Sequence, residues 1–127
     1  MKAKKLVKLI RNGTFGAGLK PDQEVGAKCS FLANLLVGTN IPFDPDEVMK
    51  ALSRKAKMDR MLELVRNSER EFSDDDIKKA LCSMITPWAR GVISVCLGYS
   101  VKELTSVGLP PGYIAPLIAQ TPYTPKE

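Results

Sequence analysis

The chain has 127 residues, 44% of them hydrophobic and 26% charged, with 19 Lys and Arg against 14 Asp and Glu, no His and a formal net charge of +5. That composition fits one globular domain with a core of its own and excludes wholesale disorder, and no apolar run reaches the roughly 18–20 residues of a membrane span. Cys29, Cys82 and Cys96, without a C-x-x-C pair or a histidine beside them, supply no disulfide framework and no zinc site, read instead as small core residues, and leave the chain without the commonest general base.

The positive charge is concentrated at the start. Residues 1–20 carry six basic side chains and no acidic one, whereas the remainder carries thirteen basic and fourteen acidic. On a helical wheel, Ala3, Leu6, Val7, Leu9 and Ile10 fall on one side, and Lys2, Lys4, Lys5, Lys8 and Arg11 on the other. Because Lys8 and Arg11 interrupt the apolar run, the segment does not read as a secretory signal, and the chain is expected inside a cell or in a particle assembled there. Such a helix suits three roles: the solvated first helix of a bundle, an arm that offers cations to nucleic-acid phosphates, or an element lying on anionic membrane.

This first helix is expected to end near Asn12 and Gly13, followed by a glycine-rich connector that includes Lys20. Gly13, Gly16 and Gly18 have the look of a phosphate loop. They lack the preceding strand and the Gly-Lys-Ser/Thr ending, and Asp22 and Glu24 would repel a phosphate there, so a hinge is the better reading. Pro21 opens a second helix in which Val25, Cys29, Leu32, Leu35 and Leu36 recur at helical spacing and Gly38 closes the run. After a turn at Pro42, Asp44-Pro45-Asp46-Glu47 reads as cap, first-turn proline and acidic first turn, leading to Val48, Met49 and Leu52.

Residues 53–57 either continue that third helix into Met58, Met61, Leu62 and Val65 or break it in two. If it is continuous, Lys50, Arg54 and Lys57, with Lys55 and Arg60 nearby, form a second cationic stripe about 10 Å long. Asp46, Glu47, Asp59 and Glu63 are close enough in sequence to neutralise part of it. Few aromatic residues accompany these cations, which favours contact with the phosphate backbone over base stacking.

Ser73 followed by Asp74, Asp75 and Asp76 is a further cap and acidic first turn, ahead of Ile77, Leu81, Met84 and Ile85. The three carboxylates point in different directions on a helix and do not converge on a cation. Pro87 ends or kinks this helix, and the apolar run over residues 88–97, closed by Gly98, reads as the central buried helix with Trp88 as a core anchor. Ser100 and Glu103 form a capping-box pattern for a short helix stopping at Gly108. Five of the nine prolines fall in residues 110–127, where Pro110-Pro111-Gly112-Tyr113 resembles the P-P-x-Y ligands of WW domains, a signal that viral matrix and Gag-like proteins often carry.

The expected fold is all-α: a basic amphipathic N-terminal helical arm and hinge (1–20), a compact helical bundle (21–109) and a proline-rich C-terminal tail (110–127). No residue set combines a nucleophile, a base and oxyanion donors, so a non-enzymatic role without cofactor or metal is expected. In size, helical content and helical arm the chain resembles the coat proteins of filamentous DNA viruses of archaea, which wrap duplex DNA with helices. The likeness is architectural and spans the chain loosely. It implies a capsid or nucleocapsid subunit that binds the phosphate backbone without sequence specificity, prefers duplex DNA to RNA, and assembles with copies or other subunits through the apolar side of the arm and the tail. The nucleic-acid ligands would be Lys2, Lys4, Lys5, Lys8, Arg11, Lys20, Lys50, Arg54 and Lys57. The alternative is a matrix-like or adaptor protein that binds anionic membrane through the same N-terminal cations and a WW-type partner through Pro110, Pro111, Gly112 and Tyr113. A cellular DNA-binding domain would have to read bases with residues 48–65, which carry no clear Asn, Gln and Arg reading set.

Overall fold

In the computed structural model, which describes residues 1–12, 21–99, 101–109 and 112, seven helices follow one another: α1 (Ala3–Asn12), α2 (Pro21–Gly38), α3 (Pro45–Met49), α4 (Arg54–Asn67), α5 (Asp74–Cys82), α6 (Pro87–Cys96) and α7 (Val101–Ser106). Among the described residues the one extended pairing is an isolated antiparallel bridge between Lys2 and Glu71. The all-α bundle expected from the periodicity is therefore the fold.

Local chemistry starts and stops these helices. At α3, the Asp44 carboxylate accepts the Asp46 N–H at 2.9 Å, with Pro45 in the first turn. At α5, Ser73 Oγ accepts the Asp76 N–H and Asp76 Oδ2 accepts the Ser73 N–H, each at 3.1 Å, a reciprocal capping box. Pro87 does not kink a longer helix; it opens α6, where its missing N–H is not needed. Gly98, at φ +83°, ends α6 by letting the Tyr99 N–H reach back to the Ser94 carbonyl at 3.0 Å. The end of α2 differs from expectation. Gly38 is still helical, and the left-handed residue is Asn40 (φ +56°), which lets the Ile41 N–H reach the Leu36 carbonyl at 3.0 Å. Asn tolerates that conformation better than most residues because its short amide bonds locally.

Between α3 and α4 the chain breaks. Ser53 is extended (φ −139°, ψ 161°), and its hydroxyl accepts the Ala56 N–H at 3.1 Å, so a new helix begins at Arg54. This resolves the boundary that apolar spacing left open, because a serine cap satisfies an N–H that a continuous helix would have bonded within itself.

The core is shared by all seven helices. α2 packs against α4, α5 and α6 and contributes Phe31, Leu32, Leu35 and Leu36. Residues 91–97 of α6 and its end are all buried, as expected of a central helix. α1 belongs to the same core: Ala3, Leu6, Val7 and Ile10 are buried, and the helix packs on α4 and α6. Burying Leu6, Val7 and Ile10 stabilises this docking by roughly 5–9 kcal/mol before ordering costs. Its start is fastened as well, since the Phe72 N–H donates to the Met1 carbonyl at 2.7 Å and the Ala3 N–H to the Arg70 carbonyl at 3.0 Å. The apolar side of α1 is thus filled by the chain itself. The side chains expected to join one subunit to another, Ala3, Leu6, Val7 and Ile10, lie inside this fold.

The cysteines divide. Cys96 is buried and Cys29 half-buried, but Cys82 is exposed, contrary to its expected place in the core. It is the last residue of α5, and its thiol points to the Val107 carbonyl at 3.7 Å. Arg90, which carried no signal in the sequence, ties three segments together. Its guanidinium donates to the carbonyls of Met84 (2.6 Å), Val107 (3.2 Å) and Cys82 (3.4 Å), where α5 and α7 end. Gly108 leaves room for it: at φ +80° it takes a conformation other residues resist, and a Cβ there would stand 3.2 Å from Arg90 Nη1.

Candidate nucleic-acid interface

Once the apolar side of α1 is docked, its other side is fixed in place. Lys2, Lys4, Lys5, Lys8 and Arg11 are all exposed. None of the ion pairs among the described residues engages them. Lys4, Lys8 and Arg11 lie within one narrow sector of the wheel and extend over roughly 10 Å, with Lys5 beside them. At 3.4 Å per nucleotide along one strand, that length matches about three phosphates.

The placement of these charges runs against helix stability. A helix N-terminus carries a partial positive charge, so acidic residues belong there and each misplaced cation costs about 0.3–1 kcal/mol. α3 and α5 obey the rule with Asp46 and Glu47, and with Asp74, Asp75 and Asp76. α1 has no acidic residue in its first turn and places Lys4 and Lys5 there instead. Arg11, in the last turn, is the one cation of this helix that the dipole favours.

Tertiary packing adds two cations that the sequence pattern did not connect to α1. Arg66 and Arg70, at the end of α4 and just beyond it, line a groove of about 900 Å3 together with Lys2 and Lys4; Asn67, Glu69 and Glu71 lie on the same wall. Arg70 also donates to the Thr39 carbonyl and so helps close α2.

The second cationic stripe does not form as drawn. The break before Arg54 removes Lys50 from α4, and Lys50 instead pairs with Glu47 at 3.1 Å. Arg60 donates to the Glu47 carbonyl at 2.7 Å. Arg54 and Lys57 remain together, and the fold places them beside Trp88. All three line an open groove of about 660 Å3 between α2, the start of α4 and the start of α6, with Gln23, Asn34 and Ile85. Trp88 is half-buried against the core, so it serves there as an anchor while one part of it faces the groove. Arg54 lies across α2 at Gly26, where a Cβ would stand 3.1 Å from its Nη1. A glycine inside a helix costs about 1 kcal/mol relative to alanine, and here its effect is to admit the guanidinium.

Other groups behave as structure. Asp75 pairs with Lys79 at 3.0 Å and, by hydrogen bond and charge, raises the lysine's pKa. Lys28 is buried and pairs with Glu24 at 3.6 Å. Burial pushes the Cys96 thiol up to about 11 and the Tyr99 hydroxyl up to about 12. Among the described residues no cluster of His, Cys, Asp and Glu could hold a metal ion, and no helix is long and apolar enough to cross a membrane. Lys20, the glycine-rich hinge, Ser100 of the expected capping box, and Pro110, Pro111 and Tyr113 lie outside the described residues, while Gly112 is exposed.

Compared with known protein families, with curated proteins and with solved structures, the chain finds no match.

Proposed function

We propose that the protein coats nucleic acid, holding the phosphate backbone on the exposed face of α1 without reading sequence, as a structural subunit of a nucleoprotein particle. The observation that carries this reading is the presence of Lys4 and Lys5 in the first turn of a docked helix, where they oppose the helix dipole and find no carboxylate partner among the described residues. A fold selected for stability alone has no use for that arrangement. A surface that meets phosphates does, because each lysine or arginine placed on a phosphate releases a counterion. Lys8 and Arg11 extend the face, and Lys2, Arg66 and Arg70 widen it toward the end of α4. The reading assigns the protein no catalytic step and no cofactor, and a duplex, with its two closely spaced rows of charge, is the favoured partner.

An anionic membrane is the weaker partner. Amphipathic helices hold to a bilayer by burying an apolar side in it, and Leu6, Val7 and Ile10 are already committed to the core.

The test is binding to random-sequence duplex DNA across a salt series, with particle growth followed by light scattering. Replacing Lys4, Lys5, Lys8 and Arg11 together by Gln removes four charges, and the slope of log K against log salt is expected to become less negative by about 3.6. Between about 50 and 200 mM salt the unmodified protein would then lose roughly 150-fold more affinity than the variant. A slope that changes by less than one unit removes α1 from the interface, and salt-dependent binding to anionic vesicles without binding to DNA turns the reading to the membrane.

A further inference from the structure

We propose that the segment joining α3 to α4 is a wedge that inserts Leu52, aided by Met49 at the end of α3, between base steps of duplex DNA, while Lys55 and Lys57 hold the flanking phosphates. The wedge rests on the reading of the protein as one that coats duplex DNA, and it uses none of the α1 residues. Apolar spacing places Leu52 on the buried side of a continuous third helix, but the break at Ser53 leaves it outside: Leu52 is fully exposed and Met49 is 64% exposed. The segment that carries Leu52 is braced on both flanks. The Ala51 N–H donates to the Val48 carbonyl at 3.1 Å, the Arg60 guanidinium to the Glu47 carbonyl at 2.7 Å, and the Ala56 N–H to Ser53 Oγ at 3.1 Å. A side chain that parts stacked bases needs a support of this kind, which does not give way under the load.

The surrounding sequence is cationic: residues 49–58 contain four basic side chains and no acidic one. Lys50 is taken by Glu47. Lys55 is exposed and Lys57 half-buried, and none of the ion pairs among the described residues engages either. Asp59 follows one turn beyond Lys55 without pairing with it. Exposed apolar side chains among cations suit three occupants, and their small number decides among them. A second copy of the chain would need about 1,000 Å2 of buried surface, more than two side chains on a short turn offer. An anionic bilayer would be held by less apolar surface than one acyl chain, which by itself binds only marginally. A wedge needs no more than one or two apolar side chains, because phosphate contacts supply the affinity, and leucine and methionine are among the residues that part base steps in this way.

The experiment titrates the full chain into a duplex of about 20 base pairs with a fluorescent adenine analogue at a central T-A step, a flexible step that unstacks readily. Emission of the analogue, which rises on unstacking, is read beside the anisotropy of an end label. The emission is expected to rise as binding saturates, and this duplex to bind several-fold more tightly than a stiff A-tract. Leu52→Ser should lose most of the rise and the preference while keeping the salt slope, and Leu52→Met, which keeps an apolar wedge, should retain both. Replacing Lys55 and Lys57 by Gln should make the slope of log K against log salt less negative by about 1.8. Because Leu52 is fully exposed, its replacements leave the core intact. Duplex binding without a rise in emission, or a rise that Leu52→Ser retains, overturns the wedge and leaves the coating reading standing, whereas absence of duplex binding removes both. Loss, in Leu52→Ser, of binding to anionic vesicles or of self-association, with duplex binding and emission unaltered, would overturn the wedge in favour of a membrane or a second copy.

Discussion

Replacing Arg90 by Met keeps most of the aliphatic stem and removes the guanidinium, and so asks what the clasp between α5, α6 and α7 is worth. Two of its hydrogen bonds are well formed, to Met84 at 2.6 Å and to Val107 at 3.2 Å, while that to Cys82 at 3.4 Å is long. A hydrogen bond from a charged donor contributes about 1.5–3 kcal/mol. Against the two good bonds stands the buried Arg90 Nε, which finds no hydrogen-bond partner among the described residues and whose removal returns about 1 kcal/mol. The expected net loss is about 2–5 kcal/mol. Urea denaturation followed by far-ultraviolet circular dichroism measures it as a lower midpoint at unchanged slope. Arg90→Lys, which keeps the charge but not the fork, should fall between the two. A loss below about 1 kcal/mol for Arg90→Met would refute the reasoning, because the three carbonyls would then be equally well served by water.

Four other outcomes are expected. Exchanging Lys4 and Lys5 for Glu should raise stability by about 1 kcal/mol, by aligning charge with the α1 dipole, while weakening DNA binding; a variant that loses both stability and binding would mean that the lysines serve the fold. Glu69 adopts φ +53° at the end of α4, so Glu69→Gly should stabilise the protein by about 1 kcal/mol in the same denaturation assay, and a decrease would show that the side chain does more than tolerate the turn. Cys96 and Tyr99 lose their protons more readily unfolded, near 9 and 10, than folded, near 11 and 12. Their contribution is therefore complete below pH 9 and declines as the pH rises toward 12, which unfolding midpoints at pH 8, 10 and 11 would register. In the native protein at pH 8, a thiol reagent should modify the exposed Cys82 and spare Cys96.

The helices were largely legible because their signals are local. Asp44 before Pro45, Ser73 three residues before Asp76, and Gly98 after an apolar run each act within one turn of chain. The buried side of α1 was legible for the same reason, although Leu9 is only half-buried. Less could be read where two local signals compete: apolar spacing carried the third helix across residues 50–53, and the Ser53 cap stopped it. What lay beyond reach depends on tertiary contact. Trp88 is distant in sequence from Arg54 and Lys57, so the scarcity of aromatics near the cations said nothing about what folding brings to them. The same holds for Arg66 and Arg70 beside Lys2 and Lys4, and for Arg90, whose three acceptors lie on separate segments.

The docking of α1 has a consequence for synthesis. The surfaces that cover its apolar side come from α4 and α6, and the backbone bonds that hold its start come from Arg70 and Phe72. All of these are translated after it. At about 5–20 residues per second, the 50 to 90 residues in between correspond to roughly 3–18 seconds. For that interval the nascent chain presents a segment with cations on one side and uncovered Leu6, Val7 and Ile10 on the other. The segment that gives the folded protein its charge is during those seconds an adhesive one, and slower translation lengthens its exposure to chaperones, membranes and other nascent chains.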